Sequence, residues 1–210
     1  MKIDLEFAKK LLCDGDNFNI FLHASPDGDT VGSGFALCAA LRGMGKKANV
    51  ICSDDIPKSF SFITDGYEPQ DFEAETLISV DVADAQLLGK YKALSDRILL
   101  SVDHHGLNRE FAKYTLVDPS AAANCENILK LIKYMELPVD EYIARCIYTG
   151  ISTDTGCFKY SNTTPKSHIM AAEMMSIGID FAEINRIMFD TKTRGRIKLE
   201  GSLMEQMKFF

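Results

Sequence analysis

The sequence predicts an α/β fold, a mainly parallel sheet flanked by helices with a largely helical second half. Two observations carry this prediction. Apolar runs at residues 18–22, 46–52, 76–82 and 97–102 read as buried strands alternating with loop or helical segments, the pattern of βαβ units. Beyond Asp118-Pro119-Ser120, apolar residues instead recur at helical spacing.

In chain order, Phe18-Asn19-Ile20-Phe21-Leu22 is a strand that runs into His23-Ala24-Ser25-Pro26-Asp27-Gly28-Asp29. A helix follows over residues 30–42, and Gly43-Met44-Gly45 supplies its stop. Three further strands come next, with residues 83–91 as loop or helix between the last two. Residues 121–135, 140–150, 165–177 and 181–188 each show one apolar face at helical spacing. No repeat or linker divides residues 1–190, which read as one unit. Residues 191–210 read as a linker or connecting segment, a helix or the start of a strand. A chain that closes on Met207-Lys208-Phe209-Phe210 reads as cut short. Lys192, Arg194, Arg196 and Lys198 alternate with small and apolar residues, as on a solvated face.

The chain has 210 residues, 46% hydrophobic and 25% charged, enough for a full core in one large domain. Its net charge of -7 and pI of about 5.1 argue against long duplex nucleic acid, which is bound by basic faces. Small phosphorylated substrates stay open, because bound cations reverse the local sign of an acidic site. No apolar run is long enough to span a bilayer and no signal peptide opens the chain, so a cytoplasmic location is expected. Cys13, Cys38, Cys52, Cys125, Cys146 and Cys157 form no CxxC pair, and reduced core thiols are expected.

Four separated clusters of hard metal ligands, each beside an apolar run, carry the chemistry. At the first, His23 closes a strand, Pro26 stiffens the turn and Gly28 allows unusual or close backbone geometry, so Asp27 and Asp29 can face two neighbouring metals. An Asp-Gly turn with Asp29 or Thr30 capping the helix fits the same residues. Gly32-Ser33-Gly34 suits either a phosphate at the helix start or a tight helix–sheet contact. Asp81 ends an apolar strand, where a carboxylate is costly without cationic partners; the alternative is a cap for a helix starting near Ala83. Asp103-His104-His105 closes the next strand. Adjacent residues of an extended chain point to opposite sides, which puts one imidazole on metal and the other toward substrate. The fourth cluster, Thr153-Asp154-Thr155-Gly156, is a polar turn at a helix end. His168 stands outside all four and reads as structural or exposed, and Phe60, Phe62 and the Met-rich stretch at 170–175 read as core.

Taken together the clusters resemble the DHH phosphoesterase family. The HxxPDGDxxGS signature is present at residues 23–33, the second acidic motif as Ser79-Val80-Asp81, the name-giving triplet as Asp103-His104-His105, and the fourth as Gly150-Ile151-Ser152-Thr153-Asp154-Thr155-Gly156. The motif forms are similar to the RecJ-like branch, and within it to the bacterial nanoRNases that trim very short RNA and dephosphorylate adenosine 3',5'-bisphosphate; some relatives cleave linear dinucleotides. The resemblance implies that His23, Asp27 and Asp81 hold one divalent ion and Asp29, Asp81, His104 and Asp154 the other, with Asp81 bridging. Asp103 would orient a histidine, and His105 would contact the scissile phosphate or leaving oxygen. Imidazole and carboxylate ligands favour manganese. The expected partners are short RNA or DNA oligonucleotides, a nucleotide bisphosphate or a linear dinucleotide, and a homodimer is allowed. Members of this group carry a second, DHH-associated domain with a glycine-rich motif, and nothing after Asp190 resembles it. Two functions therefore stand: an active phosphoesterase, or a metal-binding nucleotide-recognition or regulatory module with negligible turnover without a second domain.

Overall fold

The computed structural model describes residues 1–208. Helix α1 (Leu5–Asp14) opens the chain, capped by Asp4, whose carboxylate accepts from Phe7 N. Strand β1 (Phe18–Phe21) leads into α2 (Gly28–Gly43), and β2 (Ala48–Ile51) follows. A short turn of helix, α3 (Ser61–Thr64), precedes β3 (Thr76–Val80). A 3-10 stretch at Ala85–Arg97, kinked at Gly89, connects to β4 (Ile98–Asp103), and β5 (Tyr114–Val117) completes the sheet.

Five strands pair in the order β2-β1-β3-β4-β5, every pair parallel. The four expected strands are all present. β5 and α1 lie outside the elements the sequence announced. The order reverses direction between β1 and β3, and in open α/β sheets that crevice, at the carboxyl ends of the strands, is where ligands bind. At one edge of the sheet, Lys2 forms a bridge to Thr115 of β5. At the other, Ala48 N of β2 donates to the Gln70 side chain and Val50 N to the Tyr67 hydroxyl.

The second half is helical as expected: α4 (Asn124–Tyr134), α5 (Glu141–Asp154), α6 (Pro165–Ser176), α7 (Phe181–Asn185) and α8 (Arg194–Gln206). α2 is buried almost throughout, against α5 and α4 on one side and the sheet on the other. Its apolar residues Val31, Phe35, Leu37 and Leu41 join Ile128, Leu131, Ile147 and Ile151 in the main core. Glycines 32 and 34 serve that packing. A Cβ at Gly34 would collide with the Leu22 side chain, and one at Gly32 would lie 2.9 Å from Cys125 Sγ, so the small residues mark tight contacts here. Phe60 and Met174 are core and Phe62 and Met170 pack against it, whereas Met175, expected in the core, is exposed. His168 is exposed and stacks on Phe158.

α8 settles the helix-or-strand alternative for the last segment. It has no buried residue, and Lys192 and Arg196 pair with Glu200 in solvent. The expected aromatic close at Phe209 and Phe210 lies outside the described residues. Among the described residues no helix is long and apolar enough to cross a membrane. All six cysteines are free, but only Cys38, Cys125 and Cys146 are the expected core thiols: Cys52 and Cys157 are half-buried and Cys13 is exposed.

Candidate metal centre

The four ligand clusters converge at the carboxyl ends of β1, β3 and β4. His23 follows β1. Its Nδ1 meets the Ala24 carbonyl at 2.8 Å, which turns Nε2 toward Asp27 Oδ1 at 3.5 Å and Asp81 Oδ2 at 3.6 Å. Asp27, and neither Asp29 nor Thr30, caps α2. Its Oδ1 accepts from Asp29 N and Thr30 N at 3.0 and 3.1 Å, so one carboxylate both closes the helix end and faces His23. Thr30 Oγ1 donates to Val80 O and so ties the start of α2 to the end of β3.

Asp81 directly follows β3 and is 3% exposed. It does not cap the following helix, a role taken by Asp84. Its φ of +58° turns the chain through the left-handed region while its N–H bonds Val102 O. Its Oδ1 lies 3.6 Å from both His104 Nε2 and His105 Nδ1 and has no hydrogen-bond partner. A buried carboxylate oxygen without a donor is costly, and a cation is the partner that would satisfy it.

β4 ends at Asp103, so the alternation of an extended strand does not extend to the two histidines. Their rings lie on the same side, with centroids 4.5 Å apart. His104 Nδ1 meets the Ala121 carbonyl at 3.2 Å, leaving Nε2 3.7 Å from Asp29, 3.6 Å from Asp81 and 3.5 Å from Asp154. His105 Nδ1 meets Asp103 Oδ1 at 2.8 Å. Asp29, fully buried, accepts from Asn124 N and Cys125 N at 2.5 and 2.8 Å. Ala123 offers α4 no side-chain cap, so Asp29 supplies one from another helix. Asp154 is the last residue of α5. Thr153 beside it packs against Gly28, where an added Cβ would lie 2.6 Å from Thr153 Cγ2.

Among the described residues, three groups of ligand atoms come within 4.8 Å of one another: His23 with Asp27 and Asp81; Asp29 with His104 and Asp154; and Asp81 with His104 and His105. All of these residues except Asp29 line a cleft of about 280 Å³, together with Ala24 and Leu87. The ion-pair partners of these carboxylates are histidines. The resulting repulsion is visible in the proton affinities. Burial, then the charges of Asp81 and Asp154, hold Asp29 well above the usual carboxylate range. Burial raises Asp154 to about 6, with Asp81 and Asp27 adding to the shift against the opposing pull of His104. Burial opposes the charge on His23, but bonds to Asp27 and Asp81 outweigh it and raise the imidazole to about 11. Asp103 is held low despite its burial, chiefly by His105 and Asn108.

A family model described as the DHH family, N-terminal domain, matches residues 17–151. The chain belongs to the DHH family. The matched stretch holds three of the four clusters, and Asp154 falls just past it, so its place beside His104 rests on the geometry. Among relatives of this DHH chain, the bifunctional oligoribonuclease and PAP phosphatase NrnA of Thermus thermophilus is 32% identical, over 90% of this chain and 59% of that protein. The Bacillus subtilis protein of the same name is 27% identical, over 91% of this chain and 63% of its own length. The crystal structure of an exopolyphosphatase-related protein from Bacteroides fragilis superposes with a TM-score of 0.89 at 25% identity, covering 98% of this chain and 66% of that one. The chain thus spans about three fifths of the length of these curated relatives.

All eight residues singled out in the sequence come together here: His23, Asp27, Asp29, Asp81, Asp103, His104, His105 and Asp154. Sequence reasoning missed what holds them. The amides of Asn124 and Cys125 brace Asp29, Asn127 Nδ2 donates to Asp103 O, and Asn108 Nδ2 donates to Asp103 Oδ2. Backbone amides leave no trace in a sequence. Asn108 was within reach, five residues past Asp103, but carries no signature of its own.

Proposed function

We propose that this chain is the catalytic domain, residues 1–190, of a metal-dependent phosphoesterase that hydrolyses short oligonucleotides or nucleotide phosphates. The observation that carries the reading is the convergence of four carboxylates and two imidazoles at the carboxyl ends of the strands, with no lysine or arginine among their ion-pair partners in the described residues. His23, Asp27 and Asp81 would hold one divalent ion, and Asp29, Asp81, His104 and Asp154 a second. Asp81, with one oxygen toward His23 and the other toward His104, suits the shared position. The donor set favours manganese. Two such ions supply activation of water and neutralisation of charge on the phosphoryl group.

The chain's own residues fix the rest. The Ala24 and Ala121 carbonyls select the tautomers of His23 and His104 that leave Nε2 free. His105, half exposed at the cleft, would meet the scissile phosphate or leaving oxygen, and Asp103 orients it. The names of the NrnA relatives support short oligoribonucleotides and the nucleotide bisphosphate as substrates. The decisive experiment is manganese-dependent hydrolysis of pApA and adenosine 3',5'-bisphosphate, with an Asp81→Ala control. Turnover lost in the control is expected. Equal turnover in parent and control would refute the site, and manganese binding without turnover would favour a recognition or regulatory module.

A further inference from the structure

Asp103 is completely buried, and each of its oxygens has a definite partner. Oδ1 accepts from His104 N and faces His105 Nδ1, both at 2.8 Å, and Oδ2 accepts from Asn108 Nδ2 at 2.5 Å. Asn108 sits in the exposed loop after the histidines, next to Leu107, which is 91% exposed. Its surroundings nonetheless fix it. Asn108 N donates to His105 O, Asn108 Oδ1 accepts from Glu110 N at 2.7 Å, and Nδ2 also reaches Val82 O at 3.3 Å. Because a backbone N–H occupies Oδ1, only the NH2 end of the amide can face Asp103, and the two orientations of the side chain are not equivalent. Arg109 N, bonded to Ala83 O, ties the same loop to the segment after Asp81.

We propose that Asn108 is a positioning residue for the phosphoesterase reaction, acting on His105 through Asp103. This rests on the reading of His105 as the group that meets the substrate. A carboxylate turns easily about its last torsion. With Oδ2 held by Asn108, Asp103 keeps Oδ1 toward His105 Nδ1, and Nε2 of His105 is left as the nitrogen that faces the scissile phosphate. Removing the amide strands a buried carboxylate oxygen, and Asp103 then turns or draws in water at the expense of its bond to His105. Outer partners of this kind typically change activity by about 10- to 100-fold.

Two variants test it. Asn108→Asp keeps the shape and the acceptor for Glu110 N but replaces the donor facing Asp103 with a second carboxylate, and Asn108→Ala removes the group. Three measurements are made on each. The His105 Nδ1–H proton, assigned by its loss in His105→Gln, is observed by NMR in the metal-free protein; kcat and KM are measured on pApA with manganese; and manganese affinity is measured by calorimetry. The expected result is loss of the hydrogen-bonded Nδ1–H signal and a fall in kcat of about 10- to 100-fold, with manganese affinity within about threefold of the parent. In an Asp103→Asn background, Asn108→Ala should cause no further fall. An unchanged Nδ1–H signal in both variants would overturn the proposal, as would equal losses from Asn108→Ala in the parent and in the Asp103→Asn background. If the parent itself shows no turnover, the functional reading fails, while the Nδ1–H signal still decides whether Asn108 governs Asp103 and His105.

Discussion

Replacing Gly28 by Ala tests whether the contact between α2 and α5 sets the spacing of the metal ligands. Gly28 lies between Asp27 and Asp29, and Thr153, its neighbour in space, precedes Asp154. A Cβ at Gly28 would stand 2.6 Å from Thr153 Cγ2 and 2.8 Å from Thr153 Cβ. Carbon atoms pack at about 3.5–4.0 Å, so the two helix ends must part by about 1 Å. Thr153 cannot simply swing away, because its hydroxyl bonds Thr149 O and Gly150 O at 2.8 and 3.1 Å. Overpacking of this kind costs about 1–3 kcal/mol, a fall in Tm of about 2–12 °C for a chain of this size. A displacement of about 1 Å within a reacting constellation can cost about 100-fold in rate. Calorimetric melts with and without manganese measure the stability cost and the loss of metal binding, and kcat on pApA measures the rate cost. The parent should gain stability from the ion, and Gly28→Ala should melt lower and lose most of that gain. Adding Thr153→Ala relieves the contacts to Oγ1 and Cγ2 and should restore part of it. A Gly28→Ala protein that melts and responds to manganese like the parent would refute the reasoning.

Three other outcomes are expected. Asp29→Ala leaves the amides of Asn124 and Cys125 without an acceptor, at about 1–3 kcal/mol for each buried group. Asp29→Asn keeps an acceptor oxygen and removes the charge, so in metal-free thermal melts the Asn variant should be the more stable of the two; the reverse order would refute the capping role. Manganese binding should release protons and strengthen as pH rises through about 6, because Asp154, at about 6, and His23, at about 11, hold protons in the metal-free site. The sign for metal-free stability differs between them. The raised Asp154 lowers stability as pH climbs from the unfolded carboxylate value to about 6, whereas the contribution of His23 is fully present below its unfolded value and lost as pH approaches 11. Calorimetry in two buffers of different ionisation enthalpy reads the proton count, and binding without proton release near pH 6 would contradict it. Finally, iodoacetamide on the folded chain should modify exposed Cys13 well before Cys38, Cys125 and Cys146, whose thiols are buried and pushed up by that burial. Mass spectrometry of peptides checks the order.

The sheet was legible where its strands are continuously apolar. Residues 76–80 and 98–103 are buried on both faces, and such runs announce themselves. β5 was not, because Tyr114-Thr115-Leu116-Val117 is a short edge strand of mixed burial that nothing in its composition separates from a loop. His23, Asp81 and the Asp103-His104-His105 triplet were legible because their chemistry is unusual at the end of an apolar run, whereas Asp154, in a polar turn at a helix end, was assigned as a ligand by the resemblance alone. Exact partners were less legible. Asp27 turned out to serve as helix cap and to face His23, two roles that compete as explanations of the same letter in a sequence. The brace between Asp29 and α4 spans more than ninety residues and uses main-chain donors, so it becomes visible only when the helices are assembled.

The outer side of β2 has a consequence for association. An edge strand with bare amides invites a strand from another molecule to add on. Here Gln70 and Tyr67 occupy the outward N–H groups of Ala48 and Val50, while Asn49 and Gln70 exchange further bonds through Asn49 Nδ2 and Gln70 N. The loop that carries them behaves as a surrogate sixth strand made of side chains, and it ends the ladder without offering a new one. Protection against runaway sheet growth thus rests on a phenol and an amide, and Tyr67→Phe would reopen it at a single N–H.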